Sequence, residues 1–228
     1  MKKILKLTLW ELTLQARQHI ITIVAVITLI YSLAFTYFGE LPTKFIILLI
    51  STDPTMLGFL FIGVLILFEK GSKTIEAVVV TPIKKSEYLF AKIISLTGIA
   101  LVASLIMAFT SQKDFNLLVL SVAVLLSSTQ FLLIGFIGVS RIQTVNQYIF
   151  TFPFLISPLM LPLLNFFEFT DSLLLYIFPF QACLLLFEAA FEPILLWQWI
   201  YVLVYLPLST IGFYFLALKF YDDYLIQN

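Results

Sequence analysis

Long runs without a charged residue constrain this chain more than any other feature. Five runs of at least 20 residues contain no Asp, Glu, Lys or Arg: 20–39, 93–112, 115–140, 142–167 and 193–218. About 20 apolar residues in a helix cross the roughly 30 Å hydrocarbon core of a bilayer. Of the 228 residues, 61% are hydrophobic and only 11% charged, against about 25% charged in soluble domains. The sequence therefore predicts an all-α, multi-pass membrane protein forming one transmembrane domain, residues 1–228.

A further span is predicted between residues 53 and 68. The preceding apolar residues, 45–52, are too few to cross a bilayer. Asp53 and Pro54 follow them, and these residue types suit a helix cap and a first helical turn. The span is therefore expected to begin near Asp53, close to the outer membrane face. We interpret Asp53 as the start of a helix rather than as a contact for a cationic substrate.

Prolines interrupt the later part of the chain. The predicted fifth span, residues 142–167, contains Pro153, Pro158 and Pro162. It is expected to kink or break near its outer end, because proline lacks the N–H that a helix needs. The next uncharged run, residues 172–187, is short and contains Pro179. It is interpreted as part of an outer segment, residues 168–192, that either re-enters the membrane or lies on its outer surface.

The distribution of basic residues orients the chain. With six spans and both termini in the cytoplasm, only Lys44 and Lys113 of the 13 basic residues lie outside. This bias follows the enrichment of Lys and Arg in cytoplasmic loops. A seventh crossing through residues 172–187 would place Glu188 and Glu192 inside and Lys219 outside. Six spans are therefore predicted.

The first 19 residues are predicted to form an amphipathic helix in the headgroup region. The alternative is that they are the polar start of the first span. The basic residues and Glu11 lie mostly off one apolar helical face, an arrangement typical of interfacial helices. That face consists of Leu5, Leu9, Leu12 and Ala16.

Residues 69–92 are dense in charge and, in this topology, form the only substantial cytoplasmic loop. Lys73–Val80 can form a short helix with exposed apolar residues, ended by Thr81 and Pro82. Ser86 is a candidate cap for the helix that follows. The loop either docks a partner or is a solvated connector, and the residues alone leave both open.

The order E-K-G-x-x-T-I-E-A-x-x-V-T-P-I-x-x-x-E-Y-L-x-x-K in this loop resembles the segment between the second and third spans of ABC-2 type transporter permeases. The chain departs from the family pattern by two extra residues between Gly71 and Thr74. Other segments resemble the fluoroquinolone-export subgroup: 52–54, 58–63, 178–182 and 197–199. The resemblance implies an ATPase-coupling role for Glu69, Lys70, Gly71, Thr74, Ile75, Glu76, Thr81, Pro82, Glu87 and Lys92.

This resemblance also implies a half-size permease in a bacterial plasma membrane, exporting a hydrophobic or amphipathic drug, peptide or lipid-like compound. Two permease subunits, either two copies of this chain or this chain with a second permease, would work with two ATPase subunits that bind ATP and Mg²⁺. No glycine begins a G-x-x-x-x-G-K phosphate loop, so no cofactor is expected on this chain. The alternative function is an immunity or sensor subunit that docks a cytoplasmic partner.

Other classes of function lack a supporting pattern. The formal net charge is zero and suggests no nucleic-acid partner, and the single cysteine, Cys183, excludes an internal disulfide. His19 is interpreted as an interfacial residue. No H-E-x-x-H or G-x-S-x-G motif is present, so no catalytic or metal-binding residue is predicted. The substrate-binding residues are unknown at this stage.

Overall fold

The computed structural model describes residues 2–38, 41–72, 74, 81 and 83–222, and within them the chain is helical with no strand. Two 3-10 turns, Pro158–Met160 and Leu173–Ile177, interrupt the second half. The helices are α1 Lys2–Arg17, α2 Ile20–Tyr37, α3 Thr43–Gly71, α4 Lys85–Thr110, α5 Leu117–Val139, α6 Val145–Ile156, α7 Leu163–Phe166, α8 Pro179–Phe191 and α9 Leu196–Phe220.

Five of the described helices are long and apolar enough to cross a membrane: α2, α3, α4, α5 and α9. The predicted fifth span is not among them, because it is divided into α6, a 3-10 turn and α7. The breaks lie at Pro158 and Pro162, so the predicted interruption by proline is confirmed. The number of six crossings stays a prediction.

The expected start of the second span at Asp53 is wrong. The helix α3 begins ten residues earlier, at Thr43, and Pro54 lies inside it. Proline cannot donate to the carbonyl four residues before it, which here belongs to Ile50. The Thr55 hydroxyl donates to that carbonyl at 3.2 Å and so replaces the missing hydrogen bond. Asp53 lies about 15 Å along α3, where its carboxylate is close to the Tyr31 hydroxyl.

The first helix packs against α4 with a polar face. Glu11 and Gln15 are fully buried there, whereas Leu5 and Leu9 of the predicted apolar face are 63% and 57% exposed. The chain then turns at His19, which has a positive φ of 60°, and enters α2. An outward apolar stripe between basic residues suits contact with lipid, and the inward polar face suits pairing with another helix.

Helices α3, α5 and α6 approach one another closely. A Cβ atom at Gly63 would lie 2.2 Å from the Tyr148 ring, and one at Gly135 would lie 2.7 Å from the Phe59 carbonyl oxygen. The Tyr148 hydroxyl donates to that same Phe59 carbonyl at 2.7 Å. Glycine at both positions therefore permits the packing.

The position of α8 was left open by the sequence. In the structure it is buried against α5 and α9 rather than exposed on a surface. The Phe180 ring, near its start, meets Phe131 in the middle of α5 with centroids 5.6 Å apart. Near its end, the Ala190 carbonyl accepts from the Asn116 N–H, at the start of α5, at 2.7 Å. The helix α8 thus runs alongside half of α5.

Candidate functional site

Three charged side chains from three helices meet in the interior, at the end of the bundle where the loop 72–84 leaves. Lys92 of α4 lies 2.6 Å from Glu69 of α3 and 3.0 Å from Glu11 of α1. Their exposed fractions are 0%, 2% and 1%. The Tyr88 hydroxyl donates to the second oxygen of Glu69. We call Glu11, Glu69, Tyr88 and Lys92 the charge cluster.

The charge cluster is closely satisfied. The Lys92 ammonium donates to both carboxylates and lies 4.8 Å from the centroid of the Tyr88 ring. One turn further along, Gln15 of α1 donates to the Ser95 hydroxyl of α4 at 2.7 Å. Buried ions are stable only when paired in this manner, and removing one partner of such a pair costs about 3–5 kcal/mol. The cluster therefore fixes α1, α3 and α4 to one another.

Glu11 is the member of the charge cluster that lies outside the candidate spans. Burial raises its pKa, Lys92 opposes that rise, and the neighbouring Glu69 adds to it. One ammonium between two carboxylates leaves an excess negative charge when both are ionised. Glu11 therefore holds a proton more readily than an ordinary glutamate.

Lys70 points away from the charge cluster. Its ammonium donates to the carbonyls of Ser140 and Ile142 at 3.2 and 3.4 Å. These carbonyls follow the C-terminus of α5, where a positive charge is favourable. The last turn of α3 is thus bound on one side to α1 and α4 and on the other to the end of α5.

The end of α9 joins the same region. The rings of Tyr88 and Tyr221 have centroids 5.6 Å apart, and Lys85 pairs with Asp222. The Glu87 carboxylate accepts from the Lys84 N–H at 3.0 Å and caps the start of α4. Residues on both sides of the loop 72–84 are therefore held by side-chain contacts.

A large apolar groove opens elsewhere, between α2 and α4. Its volume is about 720 Å³, and the hydroxyls of Thr28 and Ser32 are among the few polar groups on its walls. Gly98 leaves open space at its centre, because no atom lies within 4 Å of where its Cβ would be. An apolar chain or ring system fits such a surface.

Sequence comparison supplies the family. The chain matches the fluoroquinolones export permease protein family over residues 2–228. Two relatives, fluoroquinolones export permease proteins from the CDC 1551 / Oshkosh and ATCC 25618 / H37Rv strains of Mycobacterium tuberculosis, are each 30% identical over 183 residues. Each match covers 77% of this chain and 76% of the relative. This chain belongs to the fluoroquinolones export permease family. The resemblance noted from the sequence is confirmed, and this permease is a multi-pass transporter subunit.

Of the ten residues assigned to coupling from the sequence, seven lie in the described part of this permease. Glu69 and Lys92 meet in the charge cluster, while Lys70 and Glu87 act at helix ends. Gly71 ends α3 with open space around it, and the Thr74 hydroxyl lies 2.8 Å from that of Ser72. Thr81 forms a turn. The remaining three, Ile75, Glu76 and Pro82, lie outside the described residues. So does the predicted helix Lys73–Val80, apart from Thr74.

Sequence reasoning missed Glu11 and did not assign a role to Tyr88. A usable signal existed for Glu11. It is the only acidic residue of α1, and Gln15 lies one turn later on the same face. Two polar residues spaced by four on a helix with lipid-facing leucines indicate contact with polar groups of the permease itself.

Proposed function

We propose that this permease is the membrane-spanning subunit of an ATP-binding cassette exporter in a bacterial plasma membrane. Two copies, or one copy and a paired permease, work with separate ATPase subunits that bind ATP and Mg²⁺. The cargo is hydrophobic or amphipathic, and the apolar groove between α2 and α4 supports this class. The named substrates of the two mycobacterial relatives make a fluoroquinolone the first cargo to test.

The observation that carries the proposal is the charge cluster on both sides of the loop 72–84. Glu69 ends the helix before the loop and Lys92 lies two turns into the helix after it, and the two side chains are paired inside the protein. A force on the loop would therefore move α3, α4 and α1 together. A solvated connector needs no such buried, costly arrangement at its base.

The test is transport in proteoliposomes that contain the permease and the ATPase that co-purifies with it. Replacing Ile75 and Glu76 together by alanine is expected to abolish ATP-dependent fluoroquinolone uptake into inverted vesicles and to lower ATP hydrolysis, without loss of membrane insertion. The control replaces Lys113 and Asp114 together by alanine, which removes one positive and one negative charge from a short hairpin on the predicted opposite side.

Unchanged uptake in the Ile75 and Glu76 variant would contradict the coupling role of the loop. A partner without a phosphate loop, together with no uptake by the unaltered protein, would instead support the immunity or sensor function. The identity of the partner and the uptake are measured separately, so the two functions are distinguished.

A further inference from the structure

A polar cavity lies at the end of the bundle opposite the charge cluster, near the start of α3. Its volume is about 230 Å³, and side chains from α3, α8, α9 and the segment between α6 and α8 line it. The predicted topology places it on the outer side of the membrane. Its charged and amide-bearing walls include Lys44, Asn165, Glu168, Asp171, Gln181 and Glu188.

Acidic groups outnumber basic groups around this polar cavity. Lys44 is the one basic residue in its lining, and it pairs with Glu168. Asp171 and Glu188 form no ion pair among the described residues. Glu188 is half-buried, and burial raises its pKa, Lys44 lowers it, and Glu192 and Glu168 raise it further. A cation in the cavity would therefore favour the ionised carboxylate.

Gln181 provides a second, independent indication of a ligand. Its side chain lines the cavity and is only 4% exposed, and its Oε1 atom has no hydrogen-bond partner among the described residues. Its amide group lies beside the Tyr176 hydroxyl together with those of Asn165 and Gln198. The Gln181 oxygen is thus an unused acceptor, and native proteins rarely bury one without a partner.

The size and the geometry favour an organic cation over a metal ion. The described residues contain no group of three His, Cys, Asp or Glu side chains placed to hold a metal. The cavity is also much larger than a single ion, and its lining is mainly polar, with a smaller apolar contribution from Phe166, Leu184 and Leu185. Carboxylates and an amide oxygen are acceptors that suit an N–H-bearing cation.

We propose that this cavity binds the protonated aliphatic amine of an amphipathic compound. The ammonium is accepted by Glu188, Asp171 and the Oε1 atom of Gln181, while the apolar part extends out of the open side of the cavity. The identification of that compound as the exported cargo rests on the proposed export function. Binding of the amine itself does not depend on ATP or on a partner.

The experiment measures binding of dansylcadaverine to the purified full-length permease in nanodiscs by the rise in dansyl fluorescence. The N-acetylated form of the probe is the matched control, because it has the same ring system but no ammonium. Glu188→Gln and Asp171→Asn are expected to weaken binding about twofold to fivefold each, as loss of one charge interaction implies. Asp114→Asn, a change of an exposed acid outside the cavity lining, should leave binding unchanged.

The variant Gln181→Glu distinguishes loss of the binding site from misfolding. It places a carboxylate where the unused acceptor lies and should tighten dansylcadaverine binding by about tenfold, a gain that misfolding cannot produce. Equal binding of the two probes, or no response to Glu188→Gln and Gln181→Glu, would overturn the proposal. ATP-dependent fluoroquinolone transport is measured without this probe, so it tests the proposed export function independently.

Discussion

The polar side chains at the two ends of this permease are arranged in opposite ways. In the charge cluster at the loop end, Lys92 donates to both Glu69 and Glu11, and the Tyr88 hydroxyl donates to Glu69. In the polar cavity at the far end, the exposed Asp171, the half-buried Glu188 and the buried Gln181 surround about 230 Å³ of space, and Gln181 Oε1 has no hydrogen-bond partner among the described residues. A network of paired polar groups suits a mechanical connection between helices, whereas a cavity with an unpaired acceptor suits a ligand.

The largest expected effect comes from removing the cation of the charge cluster. Lys92→Met leaves Glu11 and Glu69 buried without a counter-charge and should lower the free energy of unfolding by about 3–5 kcal/mol. Thermal unfolding of the purified permease followed by tryptophan fluorescence measures the loss. Lys84→Met changes an exposed lysine before α4 and serves as the control. A loss below about 1 kcal/mol for Lys92→Met would show that the cluster does not hold the helices together.

A smaller effect is expected from Glu11→Gln. The amide oxygen can still accept from Lys92, and Glu69 still balances the ammonium, so we expect a loss of about 1–2 kcal/mol. The measurement is the same thermal unfolding, with Thr13→Val, an exposed change on α1, as the control. A loss equal to that of Lys92→Met would mean that Glu69 alone cannot balance the lysine.

The pH dependence of Glu11→Gln sharpens this prediction. An acid whose folded-state pKa is raised contributes stability below its unfolded-state pKa, and this stability is lost as the pH rises through the folded-state value. The unaltered permease should therefore gain stability relative to Glu11→Gln as the pH falls through the raised pKa of Glu11. A relative loss of stability on acidification would contradict the raised pKa.

The smallest effect is expected at the far end. Glu188→Gln removes a half-buried carboxylate that has no hydrogen bond among the described residues, so stability should change by less than about 0.5 kcal/mol. Glu69→Gln is the matched change at the loop end and should cost at least about 2 kcal/mol, because it removes the acceptor nearest Lys92. Equal losses in the two variants would remove the contrast between the two ends.

Local features of the fold could be predicted from the sequence, and pairings between distant residues could not. The uncharged runs predicted α2, α4, α5 and α9, and the prolines predicted the breaks after α6. Both kinds of feature depend only on residues that are close together in the sequence. The start of α3 was misplaced because the Thr55 hydroxyl compensates for Pro54, a detail that proline statistics do not contain.

In the candidate site, too, residues of one local motif could be predicted, whereas residues brought together from distant parts of the chain could not. Glu69 and Lys92 were found through a motif within one segment of the chain. Glu11 pairs with a residue 81 positions away, and no periodicity within α1 specifies that distance. The polar cavity combines residues from position 44 to position 198, so only the folded chain brings its acceptors together.

The central claim is that the charge cluster transmits movement of the loop 72–84 to the helices. The most direct test is the amount of fluoroquinolone transported per ATP hydrolysed by Glu11→Gln with its co-purified ATPase in proteoliposomes. Weakening the contact between α1 and Lys92 should lower this ratio several-fold while ATP hydrolysis and association with the ATPase continue. An unchanged ratio in a variant that shows the expected loss of stability would contradict the claim.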